Sequence, residues 1–108
     1  MGRKIQNDDG EMFTGLLALE LRGQLASHSM TIRDAAKLLG HSRPTLSNWL
    51  NNKVPIPVSV AFRLCELVGT PLSEVVDRAY ARYLKEANMI EEVRLAARNL
   101  SPRFTPPH

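Results

Sequence analysis

Residues 31–53, TIRDAAKLLGHSRPTLSNWLNNK, decide the fold. Ile32, Ala35, Ala36 and Leu39 recur at helical spacing, and Thr31 stands before them with a hydroxyl suited to cap the helix they predict. Asp34, three residues on, completes a capping-box pattern. Gly40 stops this helix, as glycine does just past a helix end. Ser42 caps the next one, and Pro44 falls in its first turn, whose N–H groups lack helical partners in any case. On a helical wheel Leu46, Trp49 and Leu50 share one face, while Pro44, Ser47, Asn48 and Asn51 lie opposite. Asn51-Asn52 ends the helix, because asparagine tolerates the left-handed conformation of such a stop. Two short helices joined by a tight turn, the second presenting small polar and basic groups, form a unit able to reach base edges in the major groove of DNA.

The charge distribution agrees. No Asp or Glu occurs between Asp34 and Glu66, whereas Lys37, Arg43, Lys53 and Arg63 all fall in that gap. Residues 1–34 carry a net −1, residues 35–65 a net +4 and residues 66–108 none, so the excess of +3 sits on the two-helix unit. The location of the charge, more than its size, points to a polyanionic partner.

Working outward, residues 1–9 are polar and charged and read as a flexible tail, and a helix can begin near Asp8, Asp9 and Gly10 with Glu11 in its first turn. Phe13, Leu17, Leu21 and Leu25 follow at i+4 spacing with Leu16 alongside, although Gly15 and Gly23 weaken the continuity of this helix. Ser27-His28-Ser29 breaks it. After the reading pair, residues 53–57 are extended by two prolines. A fourth helix covers residues 58–68, with Ala61, Leu64, Cys65 and Val68 inward and Gly69 as its stop. Thr70 is expected to cap a fifth helix that has Pro71 at its first position. Residues 72–100 hold no Gly or Pro. They carry Val76, Tyr83, Ile90 and Ala97 at seven-residue spacing, with Ala79, Glu86, Val93 and Leu100 as the second stripe. Ser101-Pro102 should end this helix. The expected organisation is therefore a flexible tail (1–9), a helix-turn-helix domain (10–80), a C-terminal helical extension (81–100) and a second flexible tail (101–108).

Composition narrows the classes. Aromatics are only 6% of the 108 residues, too few for a platform that stacks single-stranded bases. No apolar run approaches the roughly 20 residues needed to span a bilayer, and MGRKIQNDDG has no apolar signal region, so neither membrane nor export is expected. The single cysteine excludes an internal disulfide framework and fits a reducing cytoplasm. Cys65 and the histidines at 28, 41 and 108 have no metal-ligand spacing. With no nucleophile–base pair, metal cluster or phosphate-cradling glycine loop, neither an enzyme nor a cofactor is expected.

Single residues have bland readings too. Ser42 is first of all a helix cap, with a phosphate contact as an added role. Trp49 reads as core, Cys65 as a small buried hydrophobe, and His28 and His41 as solvated loop residues. Arg43 is the reverse: a cation in a first turn opposes the helix dipole, which argues for a ligand-facing role.

Met30-Thr31, Ala35-Ala36, Leu39-Gly40, Ser42, Thr45-Leu46, Asn51 and Lys53 together resemble the helix-turn-helix of the lambda-repressor/Cro-like (Xre) family. The resemblance covers roughly residues 21–79 and implies an all-α, five-helix DNA-binding bundle, here with a C-terminal helical extension. SRPTLSNWLNNK also looks like the host-inhibition-of-growth antitoxins within that family. Ile32 stands where many members carry a phosphate-holding Gln, Asn52 replaces the common Gly, and the His-Pro-Gly-Glu stretch with which those antitoxins usually begin is missing. Carried over residue by residue, the resemblance assigns base contacts to Arg43, Pro44, Thr45, Ser47 and Asn48, and phosphate contacts to Thr31, Ser42 and Lys53. Arg suits guanine and Asn adenine by bidentate bonding, and Pro44 can offer only apolar contact, as to a thymine methyl. The expected function is a sequence-specific binder of double-stranded DNA, acting as a homodimeric repressor on an inverted repeat. Two alternatives remain open at this point: an antitoxin that neutralises a partner toxin and represses its own operon, and a helical interaction module with no DNA role.

Overall fold

The computed structural model of the chain describes residues 7–104, with side-chain surroundings for residues 8–98. Five helices follow one another: α1 (Asn7–Ser27), α2 (Ile32–Leu39), α3 (Arg43–Leu50), α4 (Val58–Val68) and α5 (Leu72–Phe104). The expected all-α architecture is observed. The core is aliphatic: Leu17, Leu21 and Leu25 of α1 meet Ala35, Ala36 and Leu39 of α2, Leu46 and Leu50 of α3, Val60, Ala61, Leu64 and Cys65 of α4, and Val75 and Ala79 of α5. Ile56, between α3 and α4, is buried among them and anchors the proline-bounded loop. Burial pushes the Cys65 thiol up from its ordinary pKa, with neighbouring Glu66 adding to the effect, so it stays protonated and behaves as a small apolar side chain.

Several boundaries differ from the sequence reading. Helix α1 begins at Asn7, inside the segment read as tail, because Asp8 and Asp9 suit the positive end of a helix. It also runs unbroken through Gly15 and Gly23: the buried face of Leu16, Leu17, Ala18, Leu21 and Leu25 outweighs the propensity cost of two glycines, about 1 kcal/mol each. Thr70 does not cap α5. The Pro71 carbonyl accepts the first helical bonds, from the N–H groups of Glu74 and Val75, and the Thr70 hydroxyl instead donates to Gln24 Oε1 of α1 at 2.7 Å. Helix α5 passes Ser101-Pro102 and ends at Phe104; a proline deletes its own N–H donor, and that single loss does not stop the helix here.

The α1–α5 pair is the most extensive packing in the fold. Glu20 and Arg82 join the two helices at 3.0 Å, with the Glu20 side chain only 15% exposed. Val76 and Tyr83 pack against the core, so the bundle extends past residue 80, where the sequence placed a domain boundary. At 33 residues α5 is about 50 Å long, and it stretches the molecule to 67 × 25 × 25 Å.

Candidate nucleic-acid interface

Local capping builds the interface from both ends. Thr31, in extended conformation, accepts the Asp34 N–H on Oγ at 3.0 Å and so starts α2. Gly40 (φ 78°) adopts the left-handed conformation that ends α2, and the His41 N–H then closes back on the Ala36 carbonyl at 2.9 Å. Ser42 starts α3 two residues later, its Oγ accepting the Thr45 N–H at 3.2 Å. The angle between the helices thus follows from Thr31, Gly40 and Ser42, with Leu39 and Leu46 buried behind them.

The outer face of α3 carries the expected groups. Arg43, Pro44, Thr45 and Asn48 are exposed and Ser47 is half-buried. Thr31, Ser42 and Lys53 are exposed at the three turns around this face. Hydroxyl chemistry adds a feature the sequence did not show. The Ser42 O–H donates to Thr45 Oγ at 2.8 Å, and Asn51 Nδ2 donates to Ser47 Oγ at 3.0 Å. Thr45 and Ser47 are therefore acceptors within the protein, and a hydroxyl that accepts one bond retains a proton able to donate to a further acceptor, of the kind guanine and thymine show in the major groove. Past α3 the Asn48 carbonyl accepts the N–H groups of both Lys53 (2.9 Å) and Val54 (3.3 Å), which ties the Lys53 turn directly to a residue of the reading face.

Three residues near this face have surroundings that the sequence did not show. His41 is not a solvated turn residue: its ring meets Trp49 edge-on, with centroids 5.0 Å apart and an interplanar angle of 89°. Trp49 packs against the core but is only half-buried, with His41 lying against its indole. Arg63, one of the four cations in the acid-free stretch, is engaged within the protein although exposed: its Nη2 donates to the Leu39 carbonyl at 2.9 Å and caps α2 from α4. The sequence reading also missed Arg33. It shares an open concavity with Thr31, Ile32, Asp34 and Arg43, so two guanidinium groups flank the first turns of α2 and α3. The signal was available, since Arg33 opposes a helix dipole just as Arg43 does.

Among the described residues no group of three or more His, Cys, Asp or Glu could hold a metal ion, and no helix is long and apolar enough to cross a membrane. No curated protein matches the chain. Among solved structures the fold is similar to the clp gene regulator ClgR from Corynebacterium glutamicum, with a TM-score of 0.67 and 19% identity over 77% of this chain and 88% of that one. The helix-turn-helix family profile matches residues 21–75, a span running from the middle of α1 to the first turn of α5 that contains every base and phosphate position assigned above. By that match, with its capped α2–α3 pair and polar outer face, the chain belongs to the helix-turn-helix family of DNA-binding regulators.

Proposed function

We propose that α3 enters the major groove of double-stranded DNA and reads a specific site, and that two copies occupying an inverted repeat repress transcription. The observation that carries the reading is the outer face of α3: Arg43, Thr45 and Asn48 exposed and Ser47 half-buried beside them, in a segment free of carboxylates from residue 35 to residue 65. Arg43 and Asn48 read guanine and adenine edges, Pro44 meets a methyl group, and Thr31, Ser42 and Lys53 hold the backbone phosphates that set the register. Arg33 joins the phosphate set, since it lies beside Thr31 in the same concavity. The similarity to a clp gene regulator supports gene control as the setting.

One such unit contacts too little DNA for a unique site, and a two-fold dimer with reading helices about 34 Å apart is the usual remedy. Helix α5 supports it: past Tyr83 it exposes Met89 (55%), Ile90 (46%) and Val93 (64%) on one face. A dimer seated over a promoter represses by excluding other proteins from it. The test is selection of bound duplexes from a random pool, followed by binding to the selected site and to a scrambled one. The proposal expects an enriched inverted repeat, bound far more tightly than the scramble. Failure to enrich any motif, or binding insensitive to salt, would refute it.

A further inference from the structure

The turn that follows the reading helix lies against a residue outside the family-matched segment. Asn52 has φ 58°, a left-handed conformation, at a position where the resembled family commonly has glycine. Asparagine tolerates that conformation better than most side chains, and here its amide lies against Gly15 of α1: a Cβ built at residue 15 would lie 2.8 Å from Asn52 Nδ2 and 3.4 Å from its Cγ. The Asn52 amide therefore occupies the volume that any side chain at residue 15 would fill. Gly15 lies ahead of the family match, which begins at residue 21.

We infer that Gly15 is a positioning residue for DNA recognition, acting through Asn52 on the turn that carries Lys53. Two connections make this mechanical. The Asn52 N–H donates to the Trp49 carbonyl at 3.1 Å, and the next two N–H groups, of Lys53 and Val54, donate to the Asn48 carbonyl. Seating Asn52 on α1 thus fixes the backbone that holds Lys53, and through the Asn48 carbonyl it fixes the exit of the reading helix. A glycine within a helix is otherwise unfavourable, and at residue 15, unlike residue 23, it leaves space that another side chain fills. The consequence for DNA affinity rests on the proposed reading of α3; the bracing of the turn does not.

The test separates the two. In Gly15→Ala, better helix propensity should raise the melting temperature by a few degrees, roughly. The new methyl group displaces the Asn52 amide, so hydrogen exchange at the Lys53 and Val54 amides should quicken about threefold or more in the free protein, and affinity for the selected duplex should fall about fivefold. In an Asn52→Gly background no amide remains to displace, and Gly15→Ala should change neither exchange nor affinity. Unchanged exchange at Lys53 and Val54 in Gly15→Ala, or equal acceleration in both backgrounds, would overturn the inference. Faster exchange with unchanged DNA affinity would overturn the recognition role while leaving the brace in place.

Discussion

Arg63 and Lys53 carry the same charge in the same acid-free stretch, yet the structure gives them opposite roles, and paired substitutions distinguish these. Arg63 donates to the last carbonyl of α2, while Lys53 is exposed in the turn after α3. A hydrogen bond involving a charged group is worth about 1.5–3 kcal/mol. Arg63 is largely exposed, and the Leu39 carbonyl can find water once the guanidinium is gone, so Arg63→Ala should cost about 1 kcal/mol of stability. For a domain of this size that lowers the melting temperature by roughly 4 °C. Lys53→Ala should leave the melting temperature alone and lower the slope of log K against log salt by about 0.9, the value for one phosphate contact. Between 50 and 200 mM salt that difference changes the ratio of wild-type to variant affinity about threefold, toward unity. Thermal unfolding and fluorescence anisotropy titrations across that salt range measure both quantities. A lost unit of salt slope in Arg63→Ala with no change in melting temperature would show Arg63 on the phosphate backbone and refute the capping assignment.

Other substitutions probe the reading face and the flanking helices. Arg43→Ala should cost about 1–3 kcal/mol on the selected site and relax preference at one base position; equal weakening on specific and scrambled duplexes would make Arg43 a phosphate contact. Trp49→Ala should destabilise by about 2 kcal/mol, near half the usual loss for a buried tryptophan, because Trp49 is half-buried and shares an edge contact with His41. A Trp49→Ala protein with unchanged melting temperature and no DNA binding would place the indole on the reading face. Truncation after Ala87 keeps Tyr83 on the bundle and removes Met89, Ile90 and Val93, so sedimentation should show monomers that still fold. A shortened chain that remains a tight dimer would exclude the end of α5 as the interface.

What the sequence disclosed follows the range of the interactions involved. The limits of α2, α3 and α4 were legible because each is set within a few residues, by Thr31, Gly40, Ser42 and Gly69 acting on their own backbone. The apolar faces were legible for the same reason, and Leu46 and Leu50 lie inside as their spacing requires. Side chains that act across the fold were not legible. Thr70 looks like a cap until Gln24, 46 residues away, is placed beside it. Arg63 looks like a surface cation until Leu39 presents a free carbonyl. His41 looks solvated until Trp49 reaches it, and Gly15 looks like a weakness until Asn52 fills the space above it. Of the candidate site, residue types and their exposure were readable. The acceptor roles of Thr45 and Ser47 depend on hydrogen bonds from Ser42 and Asn51, and these need coordinates.

The continuity of α5 ties any dimer contact to the reading unit with little freedom. The same helix packs on the core through Val75, Ala79 and Tyr83 and then carries Met89, Ile90 and Val93 beyond it, with no break between Leu72 and Phe104. If two copies meet through that end, the separation and orientation of their α3 helices are transmitted by a rigid rod. Inserting one alanine between Ala87 and Asn88 should therefore advance the exposed face by about 1.5 Å and turn it by about 100° relative to the bundle. The apolar face survives the insertion, so dimers should still form. Their reading helices should no longer match the wild-type inverted repeat, and affinity for the full repeat should drop toward that for a single half-site, while half-site affinity stays unchanged. A fresh selection with the inserted protein should return the same half-sites at a new spacing, or none. If the inserted protein bound the original repeat as tightly as before, the link between dimer contact and reading helix would be flexible, and half-site spacing would have to be set by contacts within residues 21–75.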